Sequence, residues 1–156
     1  MDIATADKLH EVLTRLYGGH EQLLQALQLQ QQAIRRFDAP GLEKLRDRCE
    51  AIAQRISELE EARARIAGPG ARMSELAASL PEPQRSRLAA ISAGLRKLAL
   101  EITSVSRVNN TALQNMLNHF HTVYQMIASS KRASAYDATG QSARPNGGAF
   151  LVDAVA

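Results

Sequence analysis

Few residues in this chain have the type and spacing for chemistry. His119 and His121 are the only close pair among four histidines. Side chains two apart on a helix project about 200° apart, so the pair cannot share a metal ion. There is no Glu-x-x-His motif of the kind that builds a di-iron site, and no Cys/His cluster with zinc spacing. A phosphotransfer role for His119 or His121 requires positive charge beside an exposed imidazole, and their neighbours are apolar or neutral. Cys49 is the single cysteine. It excludes an intramolecular disulfide, and its core-facing spacing reads as a small buried apolar group. Gly68-Pro69-Gly70 and Gly147-Gly148 lack the Lys-Ser/Thr that follows a phosphate-binding loop. No Ser-His-acid set can be placed from spacing. The expectation is therefore no catalytic residue, no metal and no cofactor, and a protein that works by binding other proteins.

Composition narrows the class further. The chain has 156 residues, 45% of them hydrophobic, which suits one folded domain. Aromatics make up only 4%, with no Trp, so the core must be aliphatic. Nineteen basic against 16 acidic residues leave +3. The signs are interspersed, as in Glu58, Glu60, Glu61, Arg63 and Arg65. That pattern describes a solvated helix face with i,i+4 pairs rather than the basic stripe of a nucleic-acid binder. The acidic N-terminus has no apolar run of a secretory signal, and no segment reaches 18 uninterrupted apolar residues. A cytoplasmic location without a membrane span is the expectation.

The elements that must position any site are helices. Leu9, Leu13, Leu16, His20, Leu23, Leu27, Gln30, Ile34 and Phe37 recur at alternating spacings of four and three. This is a heptad seam with two polar exceptions, and it predicts a helix over about 5–37. Gly18-Gly19 lies inside it, each Gly costing roughly 1 kcal/mol relative to Ala, and a bend or fraying is expected there. Asp38-Ala39-Pro40-Gly41 interrupts the pattern, with Asp38 placed to cap the next helix. Leu42, Leu45, Cys49, Ile52, Ile56, Leu59, Arg63 and Ile66 continue the alternation over about 40–67, and Gly68-Pro69-Gly70 ends it. So short a connection between the two long helices implies an antiparallel hairpin. A short helix is expected over 72–79, with Ser79 and Glu82 at capping-box spacing before a last helix over 82–130.

That last helix carries the stripe Leu88, Ile91, Leu95, Leu98, Ile102 and Val105, after which apolar residues spread over several faces. At 1.5 Å per residue it spans roughly 70 Å, against about 50 Å and 40 Å for the first two. The mismatch predicts an overhang of roughly 20 Å at its C-terminal end. Four of the six aromatics, Phe120, Tyr124, Tyr136 and Phe150, lie after residue 119. Met and aromatic residues on an uncovered helix suit a surface that receives an amphipathic helix. From Ser129 the composition turns to Ser, Gly, Pro and Asn, and a flexible tail is expected over 131–156.

Several stretches, in order, resemble the FlgN-type flagellar export chaperones. They are Leu59-Glu60-Glu61-Ala62-Arg63, Met73-Ser74-Glu75-Leu76, Leu80-Pro81, Asn109-Asn110-Thr111-Ala112-Leu113 and Tyr136-Asp137-Ala138-Thr139-Gly140-Gln141. Arg107 stands where the family commonly has a further asparagine. The resemblance covers nearly the whole chain. It implies binding of the amphipathic C-terminal segment of a hook-associated protein, which is kept unpolymerised and brought to the type III export gate. The matching surface would comprise Asn110, Leu113, Met116, Leu117, Phe120, Tyr124 and Ile127, and Tyr136 would be the gate contact.

The sequence thus predicts an all-α, coiled-coil-like antiparallel bundle of three long helices and one short one over 1–130, followed by a tail. The expected partners are hook-associated flagellar proteins and the flagellar export gate, and the expected state is a monomer or weak dimer. The rival expectation is a coiled-coil structural or adaptor protein that self-associates through the same seam.

Overall fold

A computed structural model describes residues 1–133, with side chains through Ser129. The described residues form four helices in the order α1 (Ile3–Arg36), α2 (Ala39–Ala67), α3 (Met73–Ala78) and α4 (Gln84–Ala133). The fold is all-α, three long helices and one short. Packing divides the chain into two units, 1–113 and 114–156, with α4 contributing to both.

In the first unit α1 is the central element. Leu9, Leu13 and Leu16 of its seam are essentially inaccessible, and they cluster with Ala6, Ala77, Leu80 and Leu88. Ile56, Leu59 and Ile66 of α2 pack against that cluster, as do Met73, Leu76, Ile91 and Leu95. The 3.5-residue repeat thus does what it must: it turns one aliphatic stripe toward two neighbours. Farther along α1, Ala26, Ala33 and Ile34 are buried.

Close approaches fix the directions of the helices. Gly19 faces Ile56, whose Cγ1 lies 3.1 Å from where a Cβ would stand. The other end of α1, at Leu29 and Ala33, shares a groove with Gly41 and Leu45, so α2 runs antiparallel. Tyr17 packs over Gly94, where a Cβ would come within 2.9 Å of Cε2. Asn109 reaches Leu27 and Gln30, so α4 runs parallel to α1 and antiparallel to α2.

No fraying interrupts α1 at Gly18-Gly19: the helix is continuous from Ile3 to Arg36. Gly19 instead admits α2 at close range. Nothing lies within 4 Å of a Cβ on Gly18. Gly18→Ala should therefore raise the stability by about 0.5–1 kcal/mol, since it removes backbone entropy without a clash. A thermal melt checks this, and a fall in the midpoint would mean that α2 or α4 approaches Gly18 more closely than the structure shows.

Local signals set the ends. Asp2 caps α1 through its carboxylate, which accepts from the Thr5 N–H at 2.7 Å. Asp38 caps α2 by accepting from the Gly41 N–H at 3.0 Å, with Pro40 in the first turn where no N–H partner is needed. Two expectations need correction. Phe37 is not a seam residue: it closes α1 in the left-handed conformation, φ 55°, and is 61% exposed. Ser79 and Glu82 do not form a capping box, because Pro81 and Pro83 hold the chain out of the helix until Gln84. The Ser79 hydroxyl turns back to the Leu76 carbonyl, while the Glu82 carboxylate accepts from the Ser86 hydroxyl at 2.6 Å and the Ser86 N–H at 3.3 Å. The Ser86 hydroxyl holds the Glu82 carboxyl below its ordinary value.

Candidate functional site

The polar exceptions in the α1 seam are both accounted for inside the bundle. His20 is half-buried, and its Nδ1–H donates to the Leu16 carbonyl at 2.8 Å, which fixes the tautomer at that nitrogen. Gln30 meets Asn109, which is 1% exposed. The Asn109 amide donates to the Leu27 carbonyl at 2.8 Å and to Gln30 Oε1 at 3.0 Å. The pair acts as a register pin between the parallel helices, as a buried polar residue does in a coiled coil. Cys49 is partly buried, less deeply than its spacing suggests, and burial pushes its thiol pKa up. Among the described residues no three His, Cys, Asp or Glu side chains gather to hold a metal ion.

Two of the first unit's grooves adjoin α4. One of about 650 Å³ runs between α1 and α4, lined by Tyr17, Glu21, Gln25, Gln28, Lys97 and Glu101 among others. Within it the Lys97 ammonium and the Glu101 carboxylate approach to 4.0 Å. The other lies between α3 and α4 over Ala78, Ala89 and Ala93 with Arg85 beside it. The Arg85 Nε donates to the Leu80 carbonyl at 3.0 Å, so this guanidinium already closes the corner before α4.

The accessible apolar surface is of another kind. In the second unit Leu117 is 62% exposed, Phe120 51%, Tyr124 65% and Ile127 52%, and Met116 is half-buried. On a 3.6-residue helix Met116, Leu117, Phe120, Val123, Tyr124 and Ile127 share an arc about 120° wide, a continuous apolar stripe. Val123 was missing from the expected set, although its spacing from Met116 and Ile127 could have placed it there. Met126, also exposed, lies about 60° beyond the Val123 edge of the arc. His119 and His121 are both exposed on the flanks, and the His119 ring lies 6.4 Å from that of Phe120, centroid to centroid.

Two of the expected residues belong to the first unit: Leu113 is half-buried and Asn110 exposed. The buried member of the asparagine pair is Asn109. Of the tail expected over 131–156, residues 131–133 continue α4, and Tyr136 with the rest of 134–156 lies outside the described residues. No described helix is long and apolar enough to cross a membrane.

A family model described as FlgN protein matches residues 1–144. No curated protein and no solved structure matches the chain.

Proposed function

The chain belongs to the FlgN family of flagellar export chaperones, and from that premise we propose that it binds the C-terminal helical segment of hook-associated proteins, prevents their premature assembly and delivers them to the type III export gate. The supporting observation is the apolar stripe from Met116 to Ile127, most of it open to water. Soluble proteins rarely leave so large an apolar surface uncovered without a partner for it. A client helix laid along the stripe removes apolar area from water at about 25 cal/mol per Å², offset by the ordering of both chains. A moderate net affinity follows, which suits a carrier that must let go. In this reading the chaperone is cytoplasmic, works as a monomer or weak dimer, and uses no cofactor. The gate contact at Tyr136 rests on the family resemblance alone.

Calorimetric titration of the full chain with C-terminal segments of hook-associated proteins from the same cell tests the proposal. One-to-one binding is expected. Phe120→Asp should weaken it at least a hundredfold, about 2.7 kcal/mol, by setting a carboxylate in the middle of the stripe. Its thermal unfolding should match the unsubstituted chain, because the position is half open to solvent. Leu117→Asp should behave the same way. Absence of binding together with a stable homo-oligomer would replace the chaperone reading with a self-associating coiled coil.

A further inference from the structure

Residues 108–130 contain no Asp, Glu, Lys or Arg. The earlier helices are built differently. Ion pairs run along their surfaces, Glu60 with Arg63, Glu61 with Arg65 and, within α4 itself, Lys97 with Glu101. The neutral segment begins just after Arg107 and includes all of the apolar stripe. At about 100° per residue the stripe is bordered by His119 and Met126 on one side and by His121 and Gln114 on the other, all uncharged types, while Asn115, Asn118, Thr122 and Gln125 lie on the far face. Solubility does not demand such a composition, since charged flanks would serve it better. The composition instead sets which helix can lie here.

We propose that the stripe is built to receive an amphipathic helix whose flanks are themselves uncharged, rich in Asn, Gln, Ser and Thr, and that it discriminates against helices with charged flanks. This rests on the chaperone reading and names the chemistry of its client. A charged side chain beside the stripe would lose water on docking and find no counter-charge between residues 108 and 130 to replace it. An amide or hydroxyl in the same place meets Gln114 or His121, each able both to donate and to accept. The seam of an ordinary coiled coil uses Glu and Lys flanks to choose partners. Here the absence of charge rejects the many charged amphipathic helices of a cell, because specificity is a difference between affinities.

The test uses the full chain at about pH 8, where an ordinary imidazole is neutral. Two synthetic helices share one Leu/Ile stripe, one with Gln, Asn and Ser flanks, the other with Glu and Lys flanks. Each is titrated at about 50 and 500 mM NaCl, a range over which surface charge interactions are largely screened. The neutral-flanked helix should bind at least tenfold more tightly, with a Kd that changes less than twofold across that range. Gln114→Lys should make the binding of a Glu-flanked helix salt-sensitive while leaving the neutral one unchanged. Equal or tighter binding of the charged-flanked helix overturns the proposal. So does binding of a hook-associated segment that weakens more than fivefold in salt, and that result would leave the chaperone reading standing. Tight, salt-independent binding of the neutral-flanked helix, with no hook-associated segment bound, would do the reverse.

Discussion

Leu16→Ala will destabilise the first unit by about 3 kcal/mol, within the range seen when a fully buried leucine is truncated and its cavity does not collapse. Leu16 has no accessible surface, and it clusters with Leu9 and Leu13 of its own helix and with Leu88 of α4. The core holds few large side chains. Only Leu9, Leu13, Leu16, Leu80 and Leu88 are fully buried among the described aliphatics of that size. One leucine is therefore a large share of a total stability that for domains of this kind is about 5–15 kcal/mol. Leu88→Ala should cost a similar amount from the α4 side. Leu100→Ala, at a position 68% exposed, should stay within about 0.5 kcal/mol of the parent. Urea unfolding followed by circular dichroism separates the three. Equal midpoints for Leu16→Ala and Leu100→Ala would mean that the core is not where the seam of α1 places it.

Asn109→Asp should cost about as much, and its cost should depend on pH. The substitution keeps the shape but replaces an amide donor with a carboxylate that faces the Leu27 carbonyl and Gln30 Oε1, both of which are acceptors. Burial and the lost hydrogen bonds raise the carboxyl pKa in the folded protein above the unfolded value of about 3.9. The folded state then holds its proton more tightly than the unfolded state. The variant is least impaired below about pH 4 and loses stability as pH rises toward the folded pKa. At pH 7 the deficit should be about 3 kcal/mol, the low end for an uncompensated buried charge, because a turned Gln30 amide can donate one hydrogen bond to the carboxylate. Asn109→Leu makes a useful contrast. It removes the donor without adding charge, and the half-buried Gln30 can turn to water, so its cost should be smaller and flat with pH. The difference in urea midpoint between variant and parent, taken at pH 4 and pH 7.5, decides the matter. A deficit for Asn109→Asp that does not change with pH would show that residue 109 is wetted in the folded protein.

These two sites also show what can be read from the chain. The helices were legible because aliphatic residues at alternating spacings of three and four leave one arrangement that buries them, and the breaks at Asp38-Ala39-Pro40 and Gly68-Pro69-Gly70 are written in residues that stop a helix. The seam of α1 holds from Leu9 to Ile34. It fails at Phe37 because the left-handed residue that ends a helix is ordinarily Gly, and an aromatic there carries no warning. Asn109 was not legible by itself, since an asparagine on a helix reads as a surface residue. Its signal lay on the other helix: Gln30 interrupts an apolar seam, and such an interruption calls for a polar counterpart across the interface. Ser79 and Glu82 have the right spacing for a cap, but the two prolines around Glu82 decide where the helix can begin. Of the candidate site, the apolar stripe was legible from periodicity. The neutrality of its flanks is equally plain in the sequence and acquires meaning only once the stripe is known to be exposed.

The arrangement of the core has a consequence for the order of events at the ribosome. Leu9, Leu13 and Leu16 are synthesised first, and α2, which follows directly, packs against the cluster through half-buried residues only. The groups that seal the cluster, Ala77, Leu80 and Leu88, appear roughly seventy residues after Leu16. At about 5–20 residues per second the leucines of α1 wait roughly 3–14 s before they are fully covered. For that interval the emerging chain is itself a sticky amphipathic helix, in need of the same protection that its finished form offers to others.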